Sequence, residues 1–172
     1  RQRQMCIRDS GRQMGKTLIL PVRWNLATAK PVLGTNPTEK LLTNGIRGSL
    51  KYSDFEWCSW ADNDSVSFTI DLLKLEMLNT LILGCITNNG MAIHKPASVR
   101  VEVSDDNSKF REAVVQSFTS EEIFREGNFI ENLSLKLGGT QARYVRVTAK
   151  GPGVCPASHV RPGQTSRIFF DE

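Results

Sequence analysis

Ser65-Val66-Ser67-Phe68-Thr69-Ile70-Asp71-Leu72 alternates polar and apolar residues without a break. That period of two belongs to a strand with one face in a core and the other in water. Downstream, Val99, Val101 and Val103 alternate with Arg100, Glu102 and Ser104, and the run closes on Asp105-Asp106-Asn107-Ser108, a turn by composition. Leu133, Leu135 and Leu137 alternate before Gly138-Gly139, and Val145 and Val147 follow. One segment reads as a helix start, Ser120 to Arg125, with Ser120 as cap and Glu121 and Glu122 in the first turn. Several short strands separated by turns argue for an all-β chain, an antiparallel β-sandwich or jelly roll.

The chain has 172 residues, 40% apolar and 23% charged, which suits one domain with a substantial core. The formal charge is +4, but Arg1, Arg3, Arg8 and Asp9 supply half of it, and no basic patch with interleaved aromatics remains. Nucleic-acid binding is therefore not expected. No apolar run is long enough to span a bilayer. Residues 1–10 read as a translated sequencing adapter and are set aside from fold reasoning. Residues 11–24 read as the tail of a preceding domain or a linker, and residues 25–172 as one module cut short at its C-terminus.

Gly11-Arg12-Gln13-Met14-Gly15-Lys16-Thr17 approaches a phosphate-binding loop but has one residue too few between its glycines, and Pro21 follows where a helix should start. Asp62 with Asp64, and Glu121 with Glu122, lack the apolar surroundings that would raise one carboxyl pKa for acid-base work on a glycoside. His94 and His159 have no nucleophile signature around them, so catalysis by this chain is not expected. Of four cysteines, Cys6 lies in the suspected adapter, and Cys58, Cys85 and Cys155 are widely spaced without a C-x-x-C pair. Buried thiols, and no zinc site, are the expectation.

Short pieces strung along this all-β reading carry a resemblance. They are Leu42-Thr43-Asn44-Gly45-Ile46-Arg47-Gly48, Glu56-Trp57, Ile70-Asp71-Leu72, the run Pro96 to Asp106, Ala142-Arg143-Tyr144-Val145-Arg146-Val147, and Phe169-Phe170-Asp171-Glu172. In order and spacing they resemble the discoidin, or coagulation factor 5/8 type C, domain, the galactose-binding-like jelly roll that also makes up carbohydrate-binding module family 32. The tail Gly153-Val154-Cys155-Pro156, with His159 and Gly163, is similar to the C-terminal module of bacterial family 20 β-N-acetylhexosaminidases. Departures are Leu73 where that family ends Asp-Leu-Gly, Ala92 where Trp is common, and Arg167 at another aromatic position.

The resemblance implies a non-catalytic glycan-binding accessory domain, with an upstream catalytic domain of its own as partner and an exported parent enzyme. Its alternative is a structural module that packs on that catalytic domain and binds no sugar. It also implies a structural calcium ion held by the Leu41 carbonyl, Asn44, Ser49 and Glu172, weakened because Asn44 replaces the usual Asp. For the glycan, an aromatic platform and polar side chains are needed. Trp57 matches a core tryptophan of the family, so Trp60, Asn88, Asn89 and His94 are the expected sugar contacts.

Overall fold

The computed structural model describes residues 23–26, 42, 46–60 and 65–171. The strands are β1 (Arg23–Leu26), β2 (Cys58–Trp60), β3 (Ser65–Asn88), β4 (Ser98–Ser104), β5 (Arg111–Ser117), β6 (Asn128–Lys150) and β7 (Ile168–Phe170), with one helical turn, α1 (Ser120–Ile123). Their order is β2-β7-β3-β6-β4-β5, with β1 also on β3, and every pairing between these strands is antiparallel.

The frame is the long β3–β6 pair, in register from Ser65 opposite Lys150 to Asn88 opposite Asn128, with irregularities between Asp71 and Glu76 and between Leu78 and Thr80. Three of the alternating runs, at 65–72, 133–137 and 145–147, therefore belong to two long, bent strands. A bend interrupts the period of two, so each arm of a strand reads as a strand of its own. On one side of the bend β6 carries β4, which carries β5, while on the other β3 carries β7, which carries β2. Both arms contribute to one apolar cluster, Val66, Phe68, Ile70 and Leu72 from the first and Leu83, Cys85, Leu133 and Leu135 from the second. This is a sandwich made by folding one strand pair over its own core.

The bend has a visible chemical cause. Asp71 accepts the Leu73 N–H at 2.8 Å and a two-pronged contact from Arg143, Nε at 2.8 Å and Nη2 at 3.0 Å. Leu72 is buried, and Leu73 is thrown outward at φ 68°, a conformation in which a side chain crowds the backbone. An Asp-Leu-Gly sequence suits that turn better than Asp71-Leu72-Leu73.

The closing strand Ile168–Phe170 is buried throughout. Past it, Asp171 accepts the Gly48 N–H at 2.8 Å and an Arg47 Nη1 hydrogen bond at 2.9 Å, so the chain end is locked to the loop that precedes β2. Gly84 is required beneath this lock, since a Cβ there would lie 2.0 Å from the Asp171 carboxylate. The helical turn is capped by Thr119, not Ser120: Thr119 Oγ1 accepts from Glu122 N, and the Glu122 carboxylate accepts the Thr119 N–H. Cys58, Cys85 and Cys155 are free and buried, as their spacing suggested. Burial, with the charges of Glu56 and Asp171 adding to it, pushes the Cys58 thiol up to about 12. No helix among the described residues is long and apolar enough to cross a membrane.

Candidate functional site

At the far end of β3 the chain reverses tightly. Asn88 and Ile93 exchange backbone hydrogen bonds at 2.8 and 3.1 Å, a 3-10 turn spans Asn89–Met91, and Ala92 takes φ 53°. The turn is clamped from outside: Asn89 N donates to Gly127 O, Arg167 N to Ala92 O, and His94 N to Arg167 O. Arg161 Nε donates to the Gly90 carbonyl, so the tail loop also grips the turn. Beside it lies the loop 46–56, joined through Asn128 Nδ2 to the Leu50 carbonyl, while Tyr52 and Met91 pack on the same small core of Trp57, Ile86, Ile93 and Phe169.

The expected sugar contacts divide on this geometry. Trp60 is 2% exposed, with its ring 5.8 Å from that of Phe170, so both faces are taken up by packing. It is part of the core, because β2 pairs with the closing strand β7 and draws Trp60 in opposite Ile168. His94 is fully buried and Asn89 nearly so. Asn88 alone of the four is partly open, next to the exposed Gly90. Trp57 is buried, as read from the sequence, with Nε1 donating to the Ser49 carbonyl at 2.9 Å.

The exposed aromatic of the Asp54–Trp60 segment is Phe55, 71% open, with Ile46 and Leu50 also exposed on the same loop. Asp54 shapes this loop by accepting from Ser49 N and Glu56 N, and hydrogen bonding from Ser49 holds its carboxyl below the usual range. The sequence signal was present, since a Phe flanked by Asp54 and Glu56 sits in a polar stretch, but the larger Trp60 draws attention first.

Of the expected calcium ligands, Leu41, Asn44 and Glu172 lie outside the described residues. Ser49 is exposed, with its carbonyl engaged by Trp57 and its hydroxyl accepting the Lys51 N–H at 3.2 Å.

Beneath the turn, the structure assembles a group that sequence spacing did not foresee. His94, Cys155 and His159 place their ligand atoms all within 4.8 Å of one another, and all three residues are buried. His94 Nε2 lies 4.0 Å from Cys155 Sγ, which is 3.5 Å from Ser166 Oγ. The rings of His94, His159 and Phe124 meet edge-on, with 4.9 Å between the two imidazoles. Burial, and behind it the charge of His159, lowers the His94 pKa to about 4, so His94 is neutral at ordinary pH. The Ile123 backbone is a hydrogen-bonding neighbour of its ring, and the Asn89 Oδ1 is buried without a hydrogen-bond partner. The available signal was a Cys and a His four residues apart in one tail, but the third member comes 61 residues before Cys155, with β4, β5 and β6 between them.

A family model for the F5/8 type C domain matches residues 27–160. The chain belongs to that family. No curated protein matches it. Among solved structures, it is similar to CpGH89CBM32-5 from Clostridium perfringens, solved with GalNAc-beta-1,3-galactose, at 15% identity and TM-score 0.49 over 88% of this chain and 95% of that one. It is similar also to the C-terminal domain of a chitobiase from Bacteroides fragilis, at 15% identity and TM-score 0.43 over 87% and 93% of the two chains.

Proposed function

We propose that this F5/8 type C domain is a non-catalytic carbohydrate-binding module that serves an exported glycosidase, a β-N-acetylhexosaminidase or a relative of one, and binds terminal galactose or N-acetylhexosamine. The observation that supports it is the end of the sandwich at loop 46–56 and turn 88–91: Tyr52 of the loop that carries exposed Phe55 packs on the same small core as Met91 of the turn, beside which Asn88 is partly open. An aromatic face can stack on the C–H face of a sugar while an amide fixes the direction of a hydroxyl. A shallow site of this kind has few atoms with which to offset the entropy of association, which places Kd at about 0.1–1 mM. Asn89 and His94 are buried next to this turn, and Trp60 belongs to the main core.

Calorimetric titration with galactose, N-acetylgalactosamine and N-acetylglucosamine tests the reading, together with glycan arrays. Binding that Phe55→Ala and Asn88→Ala each weaken, with the melting temperature unchanged, supports it. No heat with any glycan at millimolar concentration favours the second reading, a module that packs on its own catalytic domain. That reading draws on Val154 and Val160, both exposed on the tail loop.

The calcium ion belongs to the same proposal, with the Leu41 carbonyl, Asn44, Ser49 and Glu172 as ligands. Hard oxygen donors of these kinds suit calcium, and an ion bound only by the folded chain would raise the melting temperature. Asn44→Asp should enlarge the rise, and a melt unchanged between chelator and millimolar calcium in both proteins would remove the ion from the reading.

A further inference from the structure

Cys155 and His159 are brought to one side of the tail by a tight turn, in which His159 N donates to the Pro156 carbonyl at 3.0 Å. The turn is fastened at its base by Cys155 N to Gln164 O and Gly163 N to Cys155 O. His94 follows the Asn89–Met91 turn and is fixed by its own backbone bond to Arg167. The result is one thiol and two imidazoles enclosed together, with His94 0%, Cys155 2% and His159 9% exposed.

We propose that His94, Cys155 and His159 bind a borderline-soft divalent metal ion, zinc by the chemistry of the donors, as a staple between the tail loop and the Asn89–Met91 turn. This inference does not depend on the glycan reading. One sulfur and two nitrogens are a zinc donor set, and tetrahedral bonds of zinc to sulfur and nitrogen place those atoms about 3.3–3.6 Å apart. A spread at the observed limit of 4.8 Å therefore closes by about 1.2–1.5 Å at its widest edge, which side-chain rotations supply. It is a different site from the calcium proposal, which uses only oxygen donors.

Two observations beyond the donor set point the same way. The His94 ring has the Ile123 backbone as a hydrogen-bonding neighbour while its Nε2 faces the Cys155 sulfur, and a buried amide oxygen, Asn89 Oδ1, lacks a partner beside this group. The second has a natural role. The Asn89 amide nitrogen now lies 3.2 Å from His159 Nε2, while Nδ1 accepts the Arg161 N–H at 3.0 Å, so both ring nitrogens face donors. A neutral imidazole carries one proton, so the amide is better turned end for end, with Nε2–H donating to Asn89 Oδ1. That leaves the Nδ1 lone pair for the ion, in exchange for the Arg161 amide, and gives His159 the orienting partner usual for a metal-bound imidazole. Ser166 Oγ, 3.5 Å from the sulfur, can donate to the thiolate formed when binding releases the thiol proton.

The test uses the full chain, stripped with chelator, desalted, and titrated separately with zinc, cobalt, calcium and magnesium. We expect one equivalent of zinc retained per chain by elemental analysis, a zinc-dependent rise in melting temperature that magnesium does not give, and a thiolate-to-cobalt charge-transfer absorption. Cys155→Ser should abolish that absorption, and Asn89→Ala should weaken zinc binding about 10–100-fold. If Cys155→Ser fails to fold, zinc protection of Cys155 from alkylation in the unsubstituted chain replaces it, measured by peptide mass. No retained zinc and no cobalt absorption overturn the proposal. So does an absorption that persists in Cys155→Ser, or alkylation of Cys155 at the same rate with and without zinc.

Discussion

Where β3 begins, Val66, Phe68, Ile70 and Leu72 share a wholly apolar interior with Val99, Val101, Val103, Val145 and Val147. Where it ends, Thr87, Asn89, His94, Cys155, His159 and Ser166 are all buried around a much smaller apolar group. Apolar burial stabilises in proportion to area, whereas a buried polar group costs stability unless it is hydrogen-bonded. The first region is what folding needs. The second encloses a thiol, two imidazoles and an amide, groups whose burial costs stability unless each finds a partner. The lesson is that this sandwich separates its apolar core from its buried polar groups along the length of one strand pair.

The largest expected effect sharpens the contrast from the apolar side. Phe170→Ala should cost about 3–5 kcal/mol, because it opens a cavity where β7 closes the sheet, and a shifted denaturant midpoint would show it. If that substitution were as mild as an exposed change, the core described here would be misplaced.

The polar end should respond to acid. The folded state holds His94 near 4 while its ordinary value is 6.5, so between those values the unfolded chain binds the extra proton. In metal-free protein, His94 neutral in the fold gives stability that is intact above about pH 6.5 and lost as the pH falls toward 4, about 2–4 kcal/mol in all. His94→Gln should flatten that part of the pH profile, while Phe170→Ala should leave its shape unchanged. Equal slopes in the unsubstituted protein and in His94→Gln would break the comparison.

A smaller gain is expected at the bend between the two regions. Leu73→Gly should stabilise by about 1 kcal/mol, since glycine takes a positive φ freely and the exposed Leu73 side chain has little packing to lose. The smallest effect on stability is expected at Phe55→Ala, within about 0.5 kcal/mol by thermal melt, although it should abolish most glycan binding. A Phe55 variant that unfolds the protein would show that loop 46–56 belongs to the core.

Much of the first region is legible in the sequence, because alternation fixes which side chains share a face. Val99-Val101-Val103 and Leu133-Leu135-Leu137 need no partner to reveal their buried side. The same rule cannot say that Asp71 and Arg143 turn two of these runs into a single bent pair, since that depends on a contact across the sheet. Nor can it choose between aromatic residues five positions apart. Phe55 is open and Trp60 enclosed because β2 is pulled against β7, a strand more than a hundred residues later.

The sequence by itself determined the all-β class, the buried faces of the strands, the closing Phe169-Phe170 and the burial of Trp57 and the thiols. Periodicity and apolar character are local properties, and they suffice for these. Only the tertiary structure decided which loops form the open end and that His94 meets Cys155 and His159, residues 61 and 65 positions further along the chain. The physical reason is that side chains converge through strand order and register, and a period of two records the face a residue takes but not the strand that will lie beside it.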